Sequence, residues 1–219
     1  MKNQDKSIFK ILLIYFIFGI AMAYLESAIV VYLRLIYYPD GFQFPLKIIP
    51  NNIALIEIGR EAATIVMLWT ITRMYTKNFK KQFALFLYSF GVWDIFYYIW
   101  LKVFLGWPAG WLDWDILFLI PLPWTGPWLS PALVSVCFIS AAVIVFYYPD
   151  RFPQRIFSAS EWAVEIICSL IILFTYFYQT ENVLAGRIPD YYPWLVFLAA
   201  VTAGLFIFFR RFFMGDEKT

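Results

Sequence analysis

Residues 11–36 read ILLIYFIFGIAMAYLESAIVVYLRLI, an apolar stretch whose only charged residues are Glu26 and Arg34. An α-helix rises about 1.5 Å per residue, so roughly 20 apolar residues cross the ~30 Å hydrocarbon core of a bilayer. This stretch is long enough to do so. It predicts a first membrane-spanning helix.

The remainder of the chain has the same character. The whole sequence is 63% hydrophobic and 15% charged, whereas soluble domains are about 45–50% apolar and about 25% charged. The sequence therefore predicts an all-α polytopic protein of the lipid bilayer, folded as a single transmembrane domain. Six stretches are long and apolar enough to span, at about 11–36, 53–75, 82–105, 127–148, 159–179 and 192–210.

The first span shares two features with a signal peptide. Lys2, Lys6 and Lys10 precede it, and residues 21–23 (Ala-Met-Ala) resemble a cleavage site. The apolar run nevertheless continues to Tyr38, which is longer than the apolar region of a signal peptide. We expect the first helix to be retained.

Several classes of site are excluded by composition. The sequence contains no histidine, which removes His-ligated haem, the usual zinc and copper sites and catalytic triads with histidine. Cys137 and Cys168 lie in apolar segments, where a free cysteine packs as a small hydrophobic residue. No metal site is predicted, and the sequence identifies no cofactor. The basic residues form short runs rather than one face, so no nucleic-acid partner is expected.

Lysine and arginine are distributed unequally between the two sets of loops. Cytoplasmic loops of membrane proteins carry the excess, so we predict a multi-pass protein of the inner (plasma) membrane with both termini in the cytoplasm. The poorer set carries Arg34, Lys47, Lys102 and Arg187. The richer set carries Lys2, Lys6, Lys10, Arg73, Lys77, Lys80, Lys81, Arg151, Arg155, Arg210, Arg211 and Lys218.

Residues 115–128 form an apolar stretch that Pro121, Pro123 and Pro127 interrupt. Proline lacks a backbone N–H and breaks helices, and the stretch is too short to cross a bilayer alone. Irregular backbone is tolerated at membrane depth where protein or water satisfies it. We expect a re-entrant or interfacial segment before the fourth span.

Carboxylates occur at a similar depth in the first three spans. Glu26, Glu61 and Asp94 each lie roughly 12 Å below the predicted outer boundary, at about 1.5 Å per residue. A charge near the bilayer centre costs at least about 2.5–3.5 kcal/mol, so such residues usually face a protein interior. Three carboxylates at one depth indicate a common polar region.

The second span carries the most polar helix face. Glu57, Arg60, Glu61 and Thr64 follow the i, i+3, i+4, i+7 spacing that brings side chains together. Arg60 cannot lose its charge, so we expect it to pair with Glu61, Glu26 or Asp94. The group is either a structural network that fixes helix packing or an outward-opening pocket. The candidate binding or proton-exchange residues are Glu26, Glu57, Arg60, Glu61 and Asp94.

Four further residues are candidates for the mouth of this pocket. Asp113 and Asp115 precede the Pro-rich stretch, and they are either solvated loop charges or part of the mouth. Tyr97 and Tyr98 lie three and four residues after Asp94, so they share its helix face. Their hydroxyl groups can donate hydrogen bonds to a carboxylate.

Glu161 and Glu165 lie at the start of the fifth span, just after Ser158 and Ser160. Serine is a preferred N-cap residue, and acids in the first turn complement the helix dipole. We interpret these residues as a helix cap.

Two recurring patterns suggest an internal repeat. Residues 37–40 at the end of the first span and residues 147–150 at the end of the fourth both read YYPD. The second and fifth spans each open with two carboxylates four residues apart. The hypothesis is an inverted 3+3 repeat, with halves 1–110 and 111–219, an architecture known from transporters.

Two segments resemble a family of uncharacterised bacterial multi-helix membrane proteins. The first is GVWDIFYY at 91–98 with LGWP at 105–108. The second is WDILFLIP at 114–121, followed by PW at 123–124 and GP at 126–127. The resemblance implies a bacterial source and carries no activity or catalytic residue with it.

Three functions are compatible with these features. The preferred hypothesis is a binding or transport protein with a carboxylate-rich polar site in the outer half of the membrane. The second is a non-catalytic subunit of a larger complex, since the loops are short and dense aromatic residues suit contacts with other membrane subunits. The third is a lipid-modifying enzyme that uses paired carboxylates. The sequence shows no nucleophile motif, phosphate loop or metal-ligand motif, so an enzyme is not the expected outcome.

Overall fold

The computed structural model describes residues 2–47, 49–152 and 156–214. Arg155 and Lys218, two of the cations used to predict the orientation, lie outside the described residues.

The described chain is mostly helical, with one small sheet and a short 3-10 turn at Pro149–Arg151. The helices are α1 (Lys2–Tyr37), α2 (Asn51–Tyr75), α3 (Phe79–Leu105), α4 (Leu129–Tyr147), α5 (Ala159–Phe177), α6 (Thr180–Leu184) and α7 (Trp194–Met214). The strands are β1 (Trp114–Phe118) and β2 (Trp124–Pro127).

Each predicted span corresponds to a long helix. Within the described residues, five segments are long and apolar enough to cross a membrane: Gln4–Tyr37, Phe79–Leu105, Leu129–Tyr147, Ala159–Leu184 and Trp194–Met214. The helix outside this set is α2. It has 25 residues, but Glu57, Arg60, Glu61 and Arg73 lower its mean hydropathy.

The Pro-rich stretch forms an antiparallel β-hairpin, which the all-α prediction missed. Trp114 pairs with Pro127 and Phe118 pairs with Trp124, with an irregularity between Ile116 and Phe118. Proline cannot donate to a helical ladder, so the interruption of the helix was predictable. The pairing of the two strands depends on contacts that the prolines do not encode. We refer to residues 114–127 as the hairpin and to this end of the bundle as the hairpin end.

The helices form two groups. Helix α3 is central to the first group and packs against α1, α2 and α4, while α5 packs against α7 in the second group. Among the described residues, direct contacts between α4 and α5 are sparse. Aromatic side chains close the end opposite the hairpin, where Phe152, Phe157 and Phe208 are buried together.

Two glycines allow the close packing of α3 with its neighbours. A Cβ atom at residue 91 would lie 2.6 Å from the Ser135 carbonyl oxygen of α4, and one at residue 19 would lie 2.8 Å from Val92 of α3. Small residues at helix interfaces let backbones approach closely, which is the main source of packing energy inside a membrane. These contacts fix α3 against both α1 and α4.

Gly91→Ala is therefore expected to destabilise the protein by about 1–3 kcal/mol, the range typical of overpacking. The measurement is the thermal unfolding temperature in detergent. Gly59→Ala is the matched control, because a Cβ atom at this helical glycine would meet nothing within 4 Å. Alanine also favours helix over glycine, so the control should melt at or above the wild-type temperature. Equal melting temperatures for the two variants would contradict close packing at residue 91.

Candidate functional site

The charges of α1 and α2 meet around Arg60. Its guanidinium donates to a Glu26 carboxylate oxygen and lies 2.9 Å from Glu57 Oε2. Thr64 Oγ1 donates to the second Glu26 oxygen at 2.7 Å. The side chains of Glu26, Glu57 and Thr64 are buried. Arg60 thus pairs with Glu26, one of the partners expected from sequence, and this contact fixes α1 against α2.

Glu61 links this cluster to the hairpin. One of its oxygens lies 3.9 Å from Arg60 Nη2, and the other accepts a hydrogen bond from the Leu119 backbone N–H at 2.7 Å. Leu119 lies in the loop between β1 and β2. We refer to Glu26, Glu57, Arg60, Glu61 and Thr64 as the Arg60 cluster. Through Glu61, the cluster holds the tip of the hairpin against α2.

A second buried ion pair holds the first strand of the hairpin. Arg34 Nη2 lies 2.7 Å from Asp115 Oδ1, and Asp115 is 1% exposed. The Arg34 guanidinium carbon lies 4.2 Å from the centroid of Phe42 and 4.0 Å from that of Trp107. Aromatic faces attract cations, so the rings stabilise the charge that Asp115 neutralises.

This pair corrects two predictions. The sequence leaves Asp115 as either a solvated loop charge or part of a pocket mouth, and the first interpretation is wrong because the carboxylate is buried and paired. Arg34 is expected from sequence to be a loop cation, but it is only 6% exposed. The partners are 81 residues apart in sequence, so no local spacing indicates that they meet.

The other candidates for a pocket mouth lie in the same region. Asp113 Oδ2 accepts hydrogen bonds from the Ala109 and Gly110 backbone N–H groups, at 2.7 and 3.0 Å, and so stabilises a local turn. The Tyr98 ring is buried between Trp107 and Trp128. Tyr97 packs edge-on against Tyr98, with ring centroids 5.1 Å apart. The rings of the two tyrosines thus pack with each other and with the tryptophans.

Asp94 bonds to a different helix from the four other predicted site residues. It is 8% exposed, and Asp94 Oδ2 accepts a hydrogen bond from Ser135 Oγ of α4 at 2.8 Å. Asp94 therefore connects α3 to α4, whereas the Arg60 cluster connects α1 to α2. The structure thus divides the predicted carboxylate site into two groups.

Asp94 also lines a cavity of about 410 Å³ between the two helix groups. Small-molecule sites usually have volumes of about 300–1,000 Å³ and apolar walls with few polar groups. This cavity fits that description, since α3, α4, α5 and α7 contribute mainly aliphatic and aromatic side chains. Its polar or sulfur-bearing lining residues are Asp94, Cys137, Trp93, Trp124, Trp162, Glu165, Cys168, Ser169 and Tyr176.

The hairpin forms the wall at one end of the cavity. Leu117, Phe118 and Trp124 line it, while neighbouring Asp115 and Leu119 are held by Arg34 and Glu61. The same hairpin packs on the second helix group. Trp124 stacks on Tyr176 with ring centroids 5.9 Å apart, and Thr180 Oγ1 donates to the Pro123 carbonyl oxygen at 2.7 Å. The hairpin therefore bridges the two groups across the cavity end.

The predicted cap of α5 is present. Ser158 Oγ accepts from the Glu161 N–H, and the Glu161 carboxylate accepts from the Ser158 N–H at 2.8 Å. This reciprocal pair is a capping box. Glu165, interpreted from sequence as part of the same cap, lies one turn further along and lines the cavity instead.

Asp115→Asn is expected to destabilise the hairpin strongly, because it leaves the buried Arg34 charge without its counter-ion. Breaking one partner of a buried pair costs about 3–5 kcal/mol. The measurements are the melting temperature in detergent and hydrogen exchange of hairpin amides, which should accelerate.

Asp113→Asn serves as the control, since an amide oxygen can still accept the two turn hydrogen bonds. A double replacement, Arg34→Met with Asp115→Leu, should recover much of the loss because no charge remains unpaired. A melting temperature of Asp115→Asn equal to that of the wild type would show that the pair does not fix the hairpin.

No protein-family model matches this chain, and searches of curated proteins and of solved structures found no significant match.

Proposed function

We propose that this chain is a membrane-embedded binding protein for an elongated, lipid-like molecule that occupies the cavity between α3, α4, α5 and α7. The observation that carries the proposal is the buried carboxylate of Asp94 in a wall that is otherwise mainly apolar. Its hydrogen bond with Ser135 engages one of its two oxygens. A polar group of the ligand would meet the carboxylate while the apolar body fills the cavity.

The physical balance inside a bilayer supports this type of ligand. Lipid tails are as apolar as the cavity wall, so burying apolar area alone gives little selectivity over the membrane. Affinity must come from van der Waals packing and from a few hydrogen bonds. The indole N–H groups of Trp93 and Trp124 have no acceptor among the described residues, and both side chains line the cavity. A ligand oxygen at the hairpin end would offer them one.

The proposal assigns α2 as a sixth span. Its buried side chains include Glu57, Glu61 and Thr64, whereas many of its exposed residues are large and apolar, among them Leu55, Ile56, Ile58, Val66 and Met67. A polar face turned inward and an apolar face turned outward suit a helix surrounded by lipid. Six spans place both termini on the same side of the membrane. Because the loops on that side carry the excess of lysine and arginine, both termini lie in the cytoplasm and the hairpin end faces outward.

In this arrangement the predicted site residues have separate roles. Asp94 contacts the ligand. Glu26, Glu57 and Arg60 fix α1 against α2, and Glu61 holds the hairpin that closes the outer end of the cavity. Movement of the hairpin would open this end, which would extend the binding function to transport.

The test compares two alanines on α7 that differ in the side of the helix they occupy. Ala200 is buried and lines the cavity, whereas its neighbour Ala199 is exposed on the outer side. Ala200→Phe should fill the cavity and abolish binding of a brominated long-chain alcohol. Ala199→Phe should bind it like the wild type. The signal is quenching of tryptophan fluorescence, because Trp93, Trp124 and Trp162 lie in the cavity wall.

The polar anchor is tested by Asp94→Leu. This substitution should lower the affinity for the same alcohol by about tenfold, the equivalent of one charge-assisted hydrogen bond. The melting temperature of each variant shows whether it remains folded. Equal quenching in wild type and Ala200→Phe, with both folded, would refute binding in this cavity.

A further inference from the structure

Glu165 is a second carboxylate in the same cavity. It lies on α5, is half-buried, and lines the cavity wall opposite α3. Its Oε2 would lie 3.1 Å from a Cβ atom at residue 204, so Gly204 of α7 provides the space for it. Its Oε1 is buried and has no hydrogen-bond partner among the described residues.

The helix cap and the ion pairs do not account for this carboxylate. Glu161 completes the capping box with Ser158, and the ion pairs of Arg34 and Arg60 are made with other carboxylates. A buried polar group without a partner is unfavourable by about 1–3 kcal/mol. Its position in an apolar wall points to a partner that the cavity receives.

The two carboxylates lie at different depths. Phe83 of α3 and Trp162 of α5 are at one level, since their ring centroids are 5.5 Å apart. From this level Asp94 is 11 residues along α3 and Glu165 is 3 residues along α5. At about 1.5 Å per residue, the carboxylates are separated by roughly 12 Å along the bundle. Apolar side chains such as Phe90, which also lines the cavity, occupy the interval.

We propose that Glu165 is the second polar anchor of the cavity, so that the ligand is an elongated apolar molecule with a hydroxyl group near each end. This inference rests on the proposed binding function and specifies its ligand. A hydroxyl group suits both ends because it donates to a carboxylate and accepts from a carboxylic acid. It therefore binds whichever protonation state the apolar surroundings favour.

The test uses two series of linear alcohols, from octane to hexadecane chains, with either one terminal hydroxyl or one at each end. Binding is measured on the full chain in detergent by competition with the brominated alcohol. In the wild type, diols should bind about tenfold tighter than mono-alcohols of equal length, but only above a threshold length that reaches both carboxylates. Shorter diols should show no advantage.

Glu165→Leu should remove the advantage that long diols have over mono-alcohols of equal length, because only one carboxylate then remains to bind a hydroxyl group. Glu165→Gln, whose amide can both accept and donate a hydrogen bond, should keep most of the diol advantage. Mono-alcohol binding with no diol advantage at any length would overturn the second anchor and leave the proposed function standing. A diol advantage that persists in Glu165→Leu would overturn the second anchor in the same way. Failure of both series to bind would refute the proposed function itself.

Discussion

An arginine cannot lose its charge, and the chain places two of them, buried Arg34 and partly buried Arg60, inside an apolar bundle. Arg60 is neutralised within the α1–α2 layer by Glu26 and Glu57. Arg34 is neutralised across the chain by Asp115, between the rings of Phe42 and Trp107. Because an arginine that lost its acidic partners would leave an unpaired charge in a low-dielectric interior, these pairs determine where α1, α2 and the hairpin lie relative to one another.

The cavity follows from the position of the hairpin. Trp124 stacks on Tyr176, so α5 is attached to the hairpin, and α7 packs mainly on α5. A second helix group attached in this way cannot close fully onto α3 and α4 without moving the hairpin away from Arg34 and Glu61. The space between the groups is therefore a consequence of the same ion pairs that hold the first group together.

Features that depend on neighbours in sequence were predictable, and features that depend on distant partners were not. Long apolar helices and the Ser158–Glu161 cap follow from local composition and spacing, and the described residues contain five helices long and apolar enough to cross a membrane as well as the cap. The face of α2 correctly predicted a polar cluster around Arg60. The Arg34–Asp115 pair and the cavity arise from long-range packing, which one sequence does not encode in any short motif. The inverted repeat and the orientation in the membrane stay predictions.

Selectivity in such a cavity has to come from its ends. Between Asp94 and Glu165 the wall offers mainly apolar contacts, which surrounding lipid tails can also provide. An isolated carboxyl group in this environment is unfavourable until it forms a hydrogen bond. A ligand with one hydroxyl group forms one such hydrogen bond. A ligand with two hydroxyl groups at the matching spacing forms two, for the entropy cost of immobilising a single molecule. The spacing of the two carboxylates would therefore select for length, as their depth along α3 and α5 is fixed by the packing of Phe83 on Trp162.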